Sequence, residues 1–265
     1  MEPTPRALIT LTTDFGRDSP YVAQMKGVIL SRNPEAQIVD ISHGIAPQDV
    51  REGALVLADV CHRFPPRTIH LCVVDPGVGT DRRVLFAQVG NQRFLAPDNG
   101  LITLIARRTP PKPVVAVTKK TYFLPTVSPT FHGRDIFAPV AAHLSLGLSP
   151  KRLGEVVTSW VELPFSAPSV GDRRVTGQVM QIDAFGNLIT NIEAAHLAAM
   201  PPDAAARVTC RTLVVHGLST TYGQHAPGSC AALWGSSGRL EIAVVQGNAA
   251  EQIDAPLDAI VEVTW

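Results

Sequence analysis

Short apolar runs alternate with helix-like stretches over the first part of the chain. Residues 8–13 predict a strand, and Ser19-Pro20 then predicts a helix start, with Ser19 as the N-cap and Pro20 at the first helical position. The same reasoning predicts further strands at 38–41, 69–74, 84–89, 93–96 and 114–117, and further helices at 47–64 and 133–146. Strands that alternate with helices predict the α/β class, here a mostly parallel sheet covered on both faces as an α/β/α sandwich.

The pattern changes over 162–172, which is rich in Pro, Gly and Ser and is typical of a linker. Beyond it the helical periodicity nearly disappears, and β-rich runs occur at 175–182, 188–192, 208–215, 240–245 and 259–265. We therefore predict an N-terminal α/β domain over 1–163, a linker over 164–172, and a smaller all-β, barrel-like C-terminal domain over 173–265.

The composition narrows the class of partner. The chain has 265 residues and is 45% hydrophobic, which is enough for a large buried core. Its 23 basic and 23 acidic residues balance, which argues against nucleic acid as the main partner. We find no signal peptide and no apolar run near the roughly 18–20 residues that span a bilayer. We expect a soluble cytoplasmic protein that binds a small molecule, with no membrane partner.

The four cysteines form no CxxC pair and have no histidine at zinc-finger spacing. They are typical of small core residues in a reducing compartment. They are Cys61, Cys72, Cys210 and Cys230.

The strongest candidate for chemistry is the Gly-rich stretch 73–83. An apolar strand ends there in Asp75, at the edge where α/β sheets bind ligands, and Arg82 closes the loop. The pair is either a structural ion pair or a functional one. No Gly-Lys-Ser/Thr follows, so this loop is not a phosphate-binding P-loop.

Two further candidates are His132, just before the predicted helix at 133–146, and Asp14, just after the first predicted strand. His132 stands before Gly133 in Thr-Phe-His-Gly-Arg-Asp, and an imidazole titrates in the range that suits proton transfer. Asp14 follows the first strand and either binds ribose hydroxyls, caps the next helix or closes a turn. The other histidines, His43 among them, are expected at the surface or in a satisfied core.

The second domain offers two ambiguous loops. Asp183-Ala-Phe185-Gly-Asn187 is a good turn, or a binding loop in which Phe185 stacks on a flat ring, Asn187 bonds a base edge and Asp183 takes an ammonium group. The stretch 234–238, with Trp234, Ser236 and Ser237, forms either a pocket wall or a tight hairpin.

Taken together, these segments resemble the S-adenosyl-L-methionine hydrolase family, also described as hydroxide adenosyltransferases, which is related to fluorinases and chlorinases. The resemblance covers nearly the whole chain, and its motifs keep the same order across the predicted domain break. They lie at 12–16, 73–80, 96–100, 130–139, 183–191 and 236–243.

The resemblance implies hydrolysis of S-adenosyl-L-methionine to adenosine and L-methionine, by a trimer whose sites lie between subunits. It implies no cofactor and no metal. It assigns catalysis to Asp75, Arg82 and His132, and ribose binding to Asp14.

The resemblance also assigns the second domain to substrate binding. Asp183 and Ser236 match the methionine end of the ligand, while Phe185 and Asn187 match the adenine end. Ser237 is an alternative to Ser236.

Three rival functions stay open. A halide-dependent, chlorinase-like adenosyl transferase would replace Asp75 by Tyr and carry an extra loop, according to the resemblance. A non-enzymatic protein that binds adenosine or S-adenosyl-L-methionine would not need Asp75, Arg82 and His132. A metal-dependent hydrolase would need several convergent His and carboxylate ligands.

Overall fold

The structure, a computed structural model, describes residues 7–265. It divides into two compact units, one up to Pro164 and the other from Phe165 onward. Each unit has its own buried apolar core.

The first unit is built on a six-stranded sheet with the strand order β2-β1-β3-β5-β4-β6. The strands are β1 (Leu8–Thr13), β2 (Gln37–Ser42), β3 (Ile69–Val73), β4 (Val84–Val89), β5 (Gln92–Pro97) and β6 (Val114–Ala116). The α-helices are α1 (Pro20–Arg32), α2 (Val50–Val60), α3 (Thr103–Arg108) and α4 (Ala138–Ser145), and a π-helical turn (Gly133–Phe137) leads into α4.

The sheet is mostly parallel, as predicted, and only β4 runs against the other strands. Strands β2, β1, β3 and β5 pair in parallel, whereas β4 is antiparallel to both β5 and β6. The reason is the tight turn at Gly90-Asn91, because two strands joined by so short a connection can pair only as an antiparallel hairpin.

Alternate side chains of the strands point to opposite faces, and helices cover both faces. On one face, Leu71 of β3 packs in the same cluster as Met25 of α1 and Val140 of α4. On the other face, Cys72 packs in the cluster that contains Leu57 of α2 and Ile105 of α3. The result is the three-layer α/β/α arrangement that the alternation of elements predicts.

The helix ends follow their capping residues. The Ser19 side chain accepts a hydrogen bond from the Tyr21 N–H, as the Ser19-Pro20 signal predicts. Helix α2 is shorter than predicted, since Asp49 caps it by accepting from the Glu52 N–H. The six-residue α3 was not predicted.

The second unit is an antiparallel sheet of eight strands with one short helix. The strands are β7 (Ser169–Gly171), β8 (Arg174–Ile182), β9 (Leu188–Glu193), β10 (Arg207–Cys210), β11 (Leu213–His216), β12 (Cys230–Trp234), β13 (Arg239–Val244) and β14 (Ile260–Thr264), and the helix is α5 (Ala249–Gln252). The order is β11-β10-β14-β8-β9-β13-β12, and β7 pairs with β8. The end strands β11 and β12 come into contact, so the sheet nearly closes into the predicted barrel.

Three details of the second unit differ from the prediction. Part of the stretch 164–172, predicted as a linker, forms β7. The run 208–215, predicted as one strand, is a hairpin that turns at Arg211, whose φ is +51°. Strand β12 was not predicted, because its run Cys-Ala-Ala-Leu-Trp is only five residues long and shows no alternation of polar and apolar residues.

A buried histidine lies in the core of the first unit. His70 of β3 is fully buried, stacks on Phe94 at 4.9 Å between ring centroids, and its Nδ1 lies 2.8 Å from the Thr10 hydroxyl oxygen. Burial lowers its pKa from 6.5 to about 4. The folded state therefore binds this proton more weakly than the unfolded chain.

We predict that His70 makes the protein sensitive to acid. Its folded pKa lies below the unfolded value, so the stability it contributes is complete above pH 6.5 and is lost as the pH falls toward 4. That loss amounts to about 3 kcal/mol. Chemical denaturation at a series of pH values should show a smaller loss for His70→Phe than for the wild type.

The exposed His62 offers a control for this measurement. His62→Gln should keep the wild-type pH dependence, because that side chain lies in water in both states. If His70→Phe loses as much stability as the wild type between pH 6.5 and 4, burial of His70 is not the cause.

Candidate active site

The carboxyl ends of β1 and β3 lie side by side and bring two predicted carboxylates to one edge of the sheet. The strands pair in parallel with Thr13 opposite Val73. Asp14 directly follows β1, and Asp75 follows β3 after one residue. Open α/β sheets bind their ligands at this edge, so strand order alone selects it.

The Gly-rich loop after β3 folds back through consecutive turns. The Val78 N–H donates to the Asp75 carbonyl oxygen at 3.2 Å, and the Thr80 N–H donates to the Gly77 carbonyl oxygen at 3.2 Å. The Thr80 hydroxyl donates to the same Gly77 oxygen at 2.7 Å. These turns return Arg82 to the start of the loop, beside Asp75.

Gly79 allows this loop to pack against the segment that precedes His132. Its φ is +81°, and a Cβ at this position would lie 2.3 Å from the Pro129 carbonyl oxygen. Glycine adopts positive φ at little cost and has no Cβ. The contact therefore requires glycine for two separate reasons.

Asp75 and Arg82 form a buried ion pair. Arg82 Nε lies 2.9 Å from each carboxylate oxygen, and Nη2 also donates to Oδ2. The Asp75 side chain is 5% exposed and the Arg82 side chain 11%. Charge-assisted bonds of this multiplicity hold the guanidinium in a fixed orientation.

The same guanidinium contacts His132. Arg82 Nη2 lies 2.9 Å from His132 Nδ1, and because a guanidinium only donates, Nδ1 accepts and the neutral ring carries its hydrogen on Nε2. Burial lowers the pKa of His132 and the Arg82 charge lowers it further, against the opposing effects of Asp75 and Asp135. His132 is therefore neutral near pH 7 and presents Nε2–H as a donor.

A second ion pair fixes the His132 segment. Asp135 is buried, accepts from Arg134 Nε at 2.6 Å and accepts from the Ser128 N–H at 2.8 Å. Burial acts to raise the pKa of Asp135, but these bonds outweigh it and the pKa is lowered. Asp135 thus anchors the π-helical turn that begins just after His132.

Asp14 is held at the same edge of the sheet. Its Oδ2 accepts from the Gln48 N–H at 2.8 Å, and its neighbour Phe15 packs edge-to-face on Phe131, with ring centroids 5.8 Å apart. Phe131 in turn precedes His132. These contacts tie the Asp14 loop to the histidine segment.

Within residues 7–265, no group of three or more His, Cys, Asp or Glu side chains is placed to hold a metal ion. Over the same residues, no helix is long and apolar enough to cross a membrane.

The second unit forms the predicted turn at 183–187. Asp183 Oδ1 accepts from the Phe185 N–H at 2.8 Å and the Asn187 N–H at 2.9 Å, and Oδ2 accepts from Asn187 Nδ2 at 2.9 Å. The Phe185 side chain projects outward and is 76% exposed. Asp183 and Asn187 hold each other, so the turn is well ordered and its aromatic ring is available to a ligand.

This turn borders a cavity of ≈ 1200 Å³ within the second unit. Four of the predicted substrate-binding residues line the cavity, namely Asp183, Phe185, Asn187 and Ser236. Ser237 is an exposed residue of the adjoining turn. The cavity is large enough for a nucleoside-sized molecule.

Two cavity residues were missed by sequence reasoning. Glu241 is 5% exposed, and the Tyr222 hydroxyl donates to its Oε1. Burial raises the pKa of Glu241, the Asp183 carboxylate raises it further, and the Tyr222 bond opposes both. A carboxylate inside the apolar run 240–244 was the signal available in the sequence.

Two family models match the chain. The model of the SAM hydroxide adenosyltransferase N-terminal domain matches residues 9–154, and that of the C-terminal domain matches residues 177–262. SAM stands for S-adenosyl-L-methionine.

The chain belongs to the SAM hydroxide adenosyltransferase family.

Other members of this family and its relatives show the same likeness. The chain is 38% identical to the (R)-S-adenosyl-L-methionine hydrolase of Thermus thermophilus, over 91% of this chain and 93% of that protein. A crystal structure of an uncharacterised conserved protein of Thermotoga maritima superposes with a TM-score of 0.91 at 36% identity, covering 97% of this chain and all of that one. A fluorinase of Nocardia brasiliensis is more distant, at 29% identity over 71% of each chain.

We predict that Gly79→Ala destabilises the first unit more than Gly90→Ala does. Both glycines have positive φ, but a Cβ at Gly90 meets nothing within 4 Å. The Gly90 variant should therefore lose about 1 kcal/mol from backbone strain alone, and the Gly79 variant about 2–3 kcal/mol from strain and the clash. Urea denaturation measures both. Equal losses would show that the contact with Pro129 adjusts without cost.

Proposed function

We propose that this protein hydrolyses S-adenosyl-L-methionine to adenosine and L-methionine. The observation that carries the proposal is the buried chain Asp75–Arg82–His132 at the ligand-binding edge of the sheet, in a member of the SAM hydroxide adenosyltransferase family. Its curated relatives at 36–38% identity are named (R)-S-adenosyl-L-methionine hydrolases.

The reaction needs an oxygen nucleophile in line with the bond between the ribose 5′ carbon and sulfur. Water attacks that carbon, the C–S bond breaks, and its electron pair returns to sulfur, so methionine leaves as a neutral thioether. The nucleophile gains hydroxide character while the sulfonium loses its charge. A site that excludes bulk water favours this cancellation of charge.

Each member of the triad has a distinct role in this proposal. Arg82 supplies a fixed positive charge that stabilises hydroxide character, and Asp75 and His132 hold the water. The neutral His132 presents Nε2–H to the water oxygen. Positioning of this kind contributes part of the roughly 7–11 kcal/mol available from orienting reactants.

The proton released from water goes to Asp75 in this scheme. Arg82 is already fully protonated, His132 Nδ1 accepts from Arg82, and Nε2 bears hydrogen. The Asp75 carboxylate is thus the member of the triad that can accept a proton without breaking the bond between Arg82 and His132. The sulfonium is already an activated leaving group, so the reaction requires no metal and no cofactor.

Asp14 binds the ribose hydroxyls in this proposal. The Gln48 N–H fixes one of its carboxylate oxygens, and the aromatic contact between Phe15 and Phe131 keeps it near the triad's histidine segment. Vicinal hydroxyls suit a carboxylate because each can donate to one oxygen.

The second unit supplies the remaining contacts. Phe185 stacks on adenine and Asn187 bonds its edge, while Asp183 and Ser236, or Ser237 in its place, bind the methionine end. The exposed Phe185 ring and the shared cavity support this grouping. We further propose a homotrimer with sites between subunits. Free thiols at all four cysteines support a cytoplasmic location.

Hydrolysis is favoured over halide transfer by the charge of the site. Fluorinases are more distant relatives of this chain than the hydrolases are. In this proposal the Asp75 carboxylate contacts the nucleophile, and a carboxylate repels a halide ion.

We predict that the purified, EDTA-treated protein converts S-adenosyl-L-methionine to adenosine at the same rate with and without chloride. Both epimers at the sulfonium sulfur should be assayed by chromatography. The name of the relatives specifies an (R) form, and L already gives the configuration of the amino acid, so (R) refers to the sulfur. A chloride-dependent 5′-chloro product would identify a halide transferase. Tight binding without product would identify a non-enzymatic binding protein.

We predict that Asp75→Asn, Arg82→Lys and His132→Ala each lower kcat by about 100-fold or more, since each removes a group that acts on the water. Adenosine affinity, measured by calorimetry, should change by less than about threefold.

Arg83→Lys is the matched control for Arg82→Lys. Arg83 pairs with Asp98 through Nε at 2.8 Å in the same loop but outside the triad. The kcat of the Arg83→Lys variant should stay near that of the wild type. Wild-type turnover in all three triad variants would contradict the catalytic assignment.

A further inference from the structure

A chain of polar contacts runs from the surface to the loop that carries Asp14. Lys26 Nζ lies 2.6 Å from Asp40 Oδ2, and Asp40 Oδ1 lies 3.1 Å from His43 Nε2. His43 Nδ1 lies 2.9 Å from the Thr13 hydroxyl oxygen, and that oxygen accepts from the Phe15 N–H at 3.3 Å. The contacts therefore end on the two residues that flank Asp14.

The charges fix how His43 bonds to Thr13. Burial acts to raise the pKa of Asp40, but Lys26 and His43 outweigh it and the pKa is lowered, so the carboxylate is ionised. This carboxylate lies 3.1 Å from His43 Nε2, in a contact that is not an aligned hydrogen bond. An anion beside Nε2 favours hydrogen on that nitrogen, which leaves Nδ1 to accept from the Thr13 hydroxyl.

The backbone of His43 adds a second attachment. The His43 carbonyl oxygen accepts from the Gly16 N–H at 2.9 Å. The end of β2 thus holds the loop both before and after Asp14, and the Gln48 N–H holds the carboxylate itself. These three attachments hold the loop on both sides of Asp14 and at its carboxylate.

We propose that His43, backed by Asp40, is a positioning residue that orients Asp14 for substrate through Thr13. The inference rests on the proposed function, in which Asp14 binds ribose. It predicts that loss of the Thr13 hydroxyl misplaces Asp14 and weakens binding while the triad continues to act.

The same strand contains a matched control. Thr10 of β1 makes the same type of contact with His70, at 2.8 Å, and is as fully buried as Thr13. It differs from Thr13 in lying away from the edge that carries Asp14. Thr10→Val and Thr13→Val remove the same group with the same change in shape. A purely structural role for Thr13 would make the two variants behave alike.

We expect Thr13→Val to raise KM for S-adenosyl-L-methionine by about tenfold with kcat within about twofold of wild type. Thr13→Ser, which restores the hydroxyl, should return KM to within about twofold. Thr10→Val should lower the Tm without changing KM. Asp40→Asn should also raise KM, but by a smaller factor. Because the Asp40 side chain is partly exposed, we expect this variant to fold normally.

Asp14→Ala and the wild-type protein separate the two hypotheses. If Asp14→Ala raises KM but Thr13→Val and Asp40→Asn do not, the positioning role is wrong and the proposed function stands. If Asp14→Ala leaves KM unchanged, the inference fails because Asp14 does not bind substrate. If the wild type shows no hydrolysis, the dissociation constant for adenosine replaces KM in the same comparison of variants. If the wild type does not bind adenosine either, both proposals are wrong.

Discussion

The Arg82 guanidinium fixes the positions of Asp75 and His132 and the placement of hydrogen on the His132 ring. Its bonds to Asp75 close the Gly-rich loop, and its bond to His132 joins that loop to a segment some fifty residues later in the chain. A guanidinium stays protonated at any working pH and can only donate. The bond from Arg82 therefore places the hydrogen of the neutral His132 ring on Nε2. That nitrogen is a hydrogen-bond donor before any ligand enters.

Much of the fold could be predicted because local signals agree with the tertiary structure. The Ser19-Pro20 start of α1 and the Gly90-Asn91 turn depend on nearest neighbours and are both found. The short helix 103–108 and the turn at Arg211 were missed, since six residues give little periodicity and a positive φ at arginine is not a turn signal. Their conformations are imposed by packing and pairing that a local pattern does not contain.

The candidate site divides in the same way. Asp75 and Asp14 could be found because strand ends and Gly-rich turns mark them in the sequence. His43, Tyr222 and Glu241 could not, because their partners lie 30, 19 and 19 residues away and nothing local distinguishes them. His43 was expected at the surface or in a satisfied core. Its side chain is 10% exposed and bonded to Thr13, which agrees with that expectation. The sequence does not show that His43 also joins the end of β2 to the Asp14 loop.

The close contact between Gly79 and the Pro129 carbonyl group couples two loops that are distant in sequence. One loop carries Asp75 and Arg82, and the other leads into His132. Neither can change its backbone path or gain bulk at the contact without displacing the other. Conversion of this scaffold to a different nucleophile would therefore require grafting both loops together, and a chimaera that exchanges one of them alone would inherit a mismatched backbone rather than a new chemistry.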